Sequence, residues 1–346
     1  MTAYTKRLQK VTAVLCTTAL LAGCAAGTSD NTEPAATTAQ VKTITIEPTA
    51  VYQTMNGFGA SACWWSQEVG NWENAKDILS LLYDKNSGIG LNIYRYNLGA
   101  GSKDDATITD PDRRAEAFID KDGNYHWERD AAAQNALALA KSMNKDLRVT
   151  LFSNSAPVFY TTNGKAYCDY LPDDEKYVTN LEPERYADFA KYSIACAKHF
   201  TEAGYRVTGL SPINEPEWSW RGYADGTAKQ EGCYYSKTQC RDLYKVFLKQ
   251  MAQEDALKDC QLEGWESGHI GTDTCMAYLK AIFGKSGVNG LKNSALRKGM
   301  PTLALHSYWA SPEERQAFAD AIATTYGSNY KLALTEYCQM TEDQNS

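Results

Sequence analysis

Two residue types never appear in the combinations that would announce a metal. The four histidines show no HxxxH spacing and the ten cysteines form no CxxC pair, so neither a metal nor a cofactor is expected. No G-x-S-x-G elbow occurs, which argues against an extracellular esterase. The turn GFGAS (57–61) has neither the helix start nor the downstream acidic residue that a dinucleotide site requires. No basic run appears beyond the first ten residues. With 35 Lys and Arg interspersed among 42 Asp and Glu, for a net charge of −7, the chain courts neither nucleic acid nor an anionic membrane.

What is present begins with an export signal over residues 1–24. Lys6, Arg7 and Lys10 form a cationic head, and Val11 to Leu21 an apolar run too short to span a membrane. Leu21-Ala22-Gly23-Cys24 resembles a bacterial lipobox, which implies a lipid on Cys24 and a cell-surface or secreted, extracytoplasmic protein. The only membrane contact expected is that N-terminal anchor. Residues 25–40, AAGTSDNTEPAATTAQ, are small, polar and without periodicity, and read as a flexible tether. Eight cysteines remain beyond the signal. Their pairing is open, although Cys233 with Cys240 would close a small loop.

Residues 41–346 suffice for one large core and alternate between strand-like and helix-like patterns. TITIE (43–47) reads as an isolated strand. Seven strands are then predicted at 55–60, 88–98, 147–153, 206–213, 261–266, 302–308 and 330–336. Helices with apolar stripes at helical spacing are predicted at 74–84, 130–143, 184–200, 238–251, 274–283 and 312–325. Repeated strand-then-helix units argue a parallel sheet. Polar and aromatic residues crowd the C-terminal ends of the strands: Trp64 and Trp65, Arg95 and Asn97, Asn154, Asn214 and Glu215, Glu266, His306 and Tyr308, Glu336. This pattern predicts a (β/α)8 barrel, because a barrel builds its active site on that rim.

The most informative stretch is 206–220, RVTGLSPINEPEWSW. A buried strand runs into Asn214-Glu215-Pro216, where proline ends the ladder and leaves Glu215 at the rim. Cleaving a glycosidic bond needs one carboxylic acid to protonate the departing oxygen and a second carboxylate on the other face of the sugar. Glu336, at the end of the seventh strand, is one candidate partner for Glu215 and Glu266 is another. Trp218 and Trp220 would surround the acid with apolar groups, and Arg95 and Tyr308 would keep Glu336 ionised. Trp64, Trp65, Trp218, Trp220, Tyr223 and Trp309 follow predicted strands, where flat rings suit the C–H faces of sugars. Trp64 and Trp65 are adjacent and cannot both point inward, so at least one meets a ligand or a loop. The rival reading is a non-catalytic glycan-binding surface lipoprotein, distinguished by carboxylates more than about 10 Å apart.

Gly57-Phe58-Gly59 with Cys63-Trp64-Trp65, Tyr94-Arg95-Tyr96-Asn97, Ser153-Asn154-Ser155-Ala156-Pro157, Ser211 to Pro216, His306-Ser307-Tyr308-Trp309 and Thr335-Glu336-Tyr337 together resemble glycoside hydrolase family 30. The match runs from about Thr43 to the end. It implies a retaining double displacement on a β-linked poly- or oligosaccharide, with Glu215 as acid/base and Glu336 rather than Glu266 as nucleophile. It also implies that Asn214 bonds the sugar 2-hydroxyl, that Arg95 and Tyr308 support the nucleophile, and that Asn154 and His306 help bind substrate. The CWW and INEPEW elements are most similar to the endo-β-1,6-galactanase branch; glucuronoxylanase and glucosylceramidase-like activities are the alternatives. Family members continue into an eighth strand and a β-sandwich that usually includes the TITIE strand. The sequence is therefore expected to be a fragment holding about seven units, unstable or inactive alone; cooperative melting with full turnover would contradict that. A monomer is expected.

Overall fold

A computed structural model describes residues 45–50, 54–173, 176–288, 302–326 and 331–338. The signal, Cys24 and the tether lie outside these residues, as do Thr43 and Ile44 of the expected early strand. Its remaining residues, 45–47, form no strand. Seven strands share one sheet in chain order, each parallel to the next. They are β1 (Gly59–Ser61), β2 (Ile93–Asn97), β3 (Arg148–Phe152), β4 (Arg206–Ser211), β5 (Gln261–Ser267), β6 (Thr302–His306) and β7 (Leu332–Glu336). The described helices are α1 (Ser66–Val69), α2 (Ala75–Tyr83), α3 (Ala131–Met143), α4 (Tyr186–Glu202), α5 (Lys237–Met251), α6 (Asp273–Phe283) and α7 (Pro312–Tyr326). This is the expected incomplete (β/α)8 barrel of seven units.

Alternation along each strand divides the molecule into two layers. In β2, Tyr94 and Tyr96 face the helices, their rings 5.6 Å from Tyr83 of α2 and 5.0 Å from Phe200 of α4. Arg95 and Asn97 take the opposite face. In β3, Val149 and Leu151 join the outer core, while Thr150 and Phe152 turn inward, Phe152 lying under the Arg95 guanidinium at 3.4 Å. The helices supply complementary stripes, such as Phe189, Ala190, Ala197 and Phe200 of α4. Ser236 and Gln239 start α5 with reciprocal side-chain to backbone bonds, satisfying two donors that the first turn leaves open.

Several strands are shorter than their apolar patterns suggested, β1 and β2 most of all. The amides of Ile89 and Leu91 donate to Leu81 and Leu82 carbonyls at the end of α2, so residues 88–91 spend their donors on the helix and β2 starts at Ile93. Asn92 Oδ1 accepts the Phe58 N–H, just ahead of the short β1. Cys233 and Cys240 are not joined: Cys233 Sγ donates to Asn180 Oδ1 at 2.8 Å and Cys240 Sγ points to the Tyr235 carbonyl.

Register shifts flank β6 on both sides and shape the inner rim of the barrel. Trp265 pairs with Ala304 and Ser267 with Leu305, leaving Glu266 as an extra residue in β5. Leu334 pairs with Leu305 and Glu336 with His306, leaving Thr335 extra in β7. Such bulges re-aim side chains near functional sites. Because the outer layer carries the sheet, Leu151→Ala, at a position with no exposure, is expected to cost about 2–5 kcal/mol in urea unfolding. A loss below about 1 kcal/mol would show that the site collapses around the gap.

Candidate active site

The site grows from four strand ends. β4 delivers Asn214 and Glu215, β5 delivers Glu266, β6 leads to His306 and Tyr308, and β7 ends on Glu336. Glu215 and Glu266 adopt positive φ of 45° and 58°, a region costly for residues with a side chain and found where surrounding structure enforces it. The enforcing contact is local: the Glu215 amide donates to the Glu266 carbonyl at 2.8 Å. The indole N–H of Trp220 donates to the Glu215 carbonyl at 2.7 Å. Gly268 completes the fit, since a Cβ there would lie 2.2 Å from Trp218 Nε1 and 3.1 Å from Glu215 Oε1.

Arg95 is the connecting group. Buried in the barrel, it donates from Nη1 to Glu336 Oε1 (2.6 Å) and Ser61 Oγ (3.1 Å), and from Nη2 to Asn214 Oδ1 (3.1 Å). Glu266 Oε1 lies 3.5 Å from the same Nη2. Tyr308 donates its hydroxyl to Glu336 Oε2 at 2.7 Å. His306, also fully buried, sets Nδ1 2.9 Å from Glu215 Oε1, and Nε2 3.3 Å from Glu266 Oε2 and 3.5 Å from Glu336 Oε1. Ser211 Oγ (2.7 Å) and Thr335 Oγ1 donate to Glu266.

Burial opposes charge on Arg95, His306, Glu266 and Glu336, and their mutual contacts decide the outcome. Burial raises Glu266, but Arg95, His306 and Thr335 bring its carboxyl down to about 2. Burial likewise raises Glu336, yet His306, Arg95 and the Tyr308 hydroxyl hold it below the usual carboxylate range. For His306, burial lowers the pKa, and Glu336, Glu215 and Glu266 together lift it to about 10. Glu215, His306 and Glu336 bring one ligand-capable atom each within 4.8 Å of one another, a density that would suit a cation. The imidazolium and Arg95 already supply that charge, and a doubly protonated ring has no lone pair to offer a metal.

The aromatic residues separate into roles. Trp218 and Trp309 stand 44% and 46% exposed, with ring centroids 6.5 Å apart. Trp220 is a partly buried brace against Gly232, where a Cβ would come within 2.4 Å of its ring. Trp65 packs on the core and donates to the Ser61 carbonyl, whereas Trp64 sits with the Arg113 guanidinium 5.0 Å from its ring. Asn154 bonds Asn97 (3.3 Å) and Cys63 (3.6 Å) and hydrogen-bonds none of the carboxylates among the described residues. Ser61, Ser211 and Thr335 belong to the same network; Ser211 and Thr335 stand within the motifs Ser211 to Pro216 and Thr335-Glu336-Tyr337, but the sequence assigns none of the three a role.

A model of O-glycosyl hydrolase family 30 matches residues 41–344. The chain is 30% identical to an endo-beta-1,6-galactanase of Hypocrea rufa over 56% of this chain and 43% of that protein. It is 27% identical to an exo-beta-1,6-galactobiohydrolase of Bifidobacterium longum subsp. longum over 52% of this chain and 15% of that one. It thus spans less than half the length of these curated relatives. A conserved exported protein from Bacteroides fragilis superposes with a TM-score of 0.72 at 26% identity, over 86% of this chain and 63% of that chain. An endo-beta1,6-glucanase superposes at 0.57 and 18% identity, over 84% and 58% of the respective chains, a likeness of fold.

The ion cluster makes stability depend on pH with a definite sign. Since His306 is raised from 6.5 to about 10, its contribution is complete below pH 6.5 and fades as pH climbs through 10. Glu266, depressed from 4.5 to about 2, contributes above pH 4.5 and loses its share as pH falls through 2. Glu266→Gln takes one carboxylate from two buried cations, so a loss of about 3–5 kcal/mol is expected, with the His306 titration displaced downward in NMR. An unmoved titration in a folded variant would disprove the coupling.

Proposed function

The chain belongs to O-glycosyl hydrolase family 30, and from that premise we propose that it cleaves a β-1,6-linked galactan within the chain by a retaining double displacement. The observation that carries this reading is the approach of Glu215 and Glu336, whose nearest oxygens lie within 4.8 Å. Retaining enzymes hold their two carboxyl groups about 5–5.5 Å apart, against about 6.5–9.5 Å where a water must fit between them. The spacing also argues against a purely glycan-binding protein, which has no need of paired acids.

Glu336, ionised through Arg95, His306 and Tyr308, attacks the anomeric carbon and forms a glycosyl ester. Glu215 protonates the departing oxygen and then takes a proton from the water that releases the sugar. His306 Nδ1 lies 2.9 Å from Glu215 Oε1, within proton-transfer reach. Arg95 holds the Asn214 carbonyl oxygen, which turns the amide NH2 to the 2-hydroxyl. Trp218 and Trp309 offer flat surfaces to the leaving portion.

The sugar is inferred from the two curated relatives, both of which bear β-1,6-galactan-directed names. Export and lipidation at Cys24 belong to the same reading and rest on the Lys6 to Cys24 pattern. The test is a screen of the full-length protein on β-1,6-galactan, β-1,6-glucan and glucuronoxylan, with product anomers followed by NMR. Activity on galactan with β-configured first products is expected, with Glu215→Gln slowing it about 10²–10⁴-fold and Glu336→Gln slowing it further. First products of the α configuration, or most of the rate surviving in Glu336→Gln, would refute the mechanism.

A further inference from the structure

Apart from the carboxylate cluster, two cysteines 65 residues apart in sequence meet between the loop that follows β3 and the loop that follows β4. Cys168 and Cys233 are both buried, at 1% and 0% exposure. The backbone around them is paired. The Gly232 amide donates to the Ala166 carbonyl at 2.8 Å, and the Tyr234 amide donates to Cys168 Sγ at 3.3 Å. The chain on both sides of Cys233 therefore lies against the chain at Cys168, and the two thiols hydrogen-bond one another. Asn180 fixes the arrangement: its Nδ2 donates to the Lys165 and Tyr167 carbonyls at 3.0 Å each, while its Oδ1 accepts from Cys233 Sγ.

Neighbouring cysteines are engaged otherwise. Cys240 points its sulfur to the Tyr235 carbonyl at 3.8 Å and Cys260 to the Gln261 carbonyl at 3.9 Å, while Cys196 bonds Tyr192. A disulfide requires its two cysteines to face each other from adjoining segments, and the backbone pairing at 166–168 and 232–234 meets that requirement. Closing a span of this length removes considerable freedom from the unfolded chain. The same link bears on the cleavage site through Trp220. The Cys168 amide donates to the Trp220 carbonyl at 2.8 Å, and the Cys168 carbonyl accepts from the Gly222 amide at 2.9 Å. Trp220 packs on Gly232, the residue before Cys233, and its indole supports the Glu215 carbonyl. A bond from Cys168 to Cys233 joins the two segments that hold this brace.

We propose that Cys168 and Cys233 are oxidised to a disulfide as the chain folds outside the cytoplasm, clamping the loop between β3 and α4 to the loop between β4 and α5 beside Trp220. The oxidant is a disulfide donor of the class that serves exported proteins. One cysteine thiolate attacks a donor sulfur, forming a mixed disulfide and expelling the other donor sulfur as a thiolate. The second cysteine gives that thiolate its proton, attacks the first cysteine's sulfur and releases the remaining donor sulfur. Two thiols become one S–S bond, and the donor leaves as two thiols carrying both protons. The proposal rests on the export part of the reading above, and neither on the reaction nor on the sugar.

The experiment maps disulfides in the full-length protein made by two routes in a bacterial host. One route keeps residues 1–24, and the other replaces them with a secretion signal that delivers the chain to an oxidising periplasm. Free thiols are alkylated in denaturant before digestion and mass spectrometry. A peptide pair joining Cys168 to Cys233, two hydrogens lighter than its reduced parts, is expected by both routes. Found by the second route alone, it upholds the bond and removes the export reading. Thermal melting supplies a second readout. Dithiothreitol is expected to lower the wild-type midpoint by about 5–10 °C and to leave those of Cys168→Ser and Cys233→Ser unmoved. Both thiols free by the second route, or either joined to a different cysteine, overturns the proposal. So does a wild type indifferent to dithiothreitol, or the same drop persisting in either variant.

Discussion

The barrel's working end is organised by a buried ion cluster in which Arg95 and His306 stand among three carboxyl groups. Each partner is expensive to bury alone. Arg95, His306, Glu266 and Glu336 keep one another charged: Glu266 is driven down to about 2 and His306 up to about 10. Glu266 touches both cations yet lies behind the pair formed by Glu215 and Glu336, so its part is to position. It fixes Arg95 and His306, and these fix the two acids.

Backbone irregularity puts these groups in reach. An extra residue in β5 turns Glu266 inward, and an extra residue in β7 does the same for Thr335 and Glu336, so two bulges flank the strand that carries His306. The left-handed conformations of Glu215 and Glu266 are tied by one amide to carbonyl bond. The regular outer layer of Tyr94, Leu151 and Phe189 against the helices supplies the stability that holds these strained positions. Rigid packing outside and deformed strand ends inside thus bring Glu215 and Glu336, 121 residues apart in sequence, to within 4.8 Å of each other.

Much of this was legible in the chain. Arg95 and Asn97 were readable as residues at the C-terminal end of a strand, and strand-end acids at 215 and 336 were visible because each closes an apolar run. The pairing of Glu215 with Glu336 instead of Glu266 was not decidable from spacing, since all three end strands. The resemblance to family 30 favours Glu336; the bulge at 266 and the full burial of Glu266 have no one-dimensional signature. The aromatic residues divided for a similar reason. Trp220 braces a carbonyl and Trp65 packs on the core, while Trp218 stays exposed, a distinction set by loop paths. The shortened β2 follows from donors captured by α2, a tertiary competition that hydrophobic pattern cannot register.

The central claim is that Glu336, held ionised by Arg95, His306 and Tyr308, forms the bond to the sugar. Trapping with a 2-deoxy-2-fluoro glycoside bearing a good leaving group, followed by proteolysis and mass spectrometry, reads that bond directly. The account predicts a single adduct on the peptide containing Glu336. An adduct on Glu266 or Glu215 would contradict it.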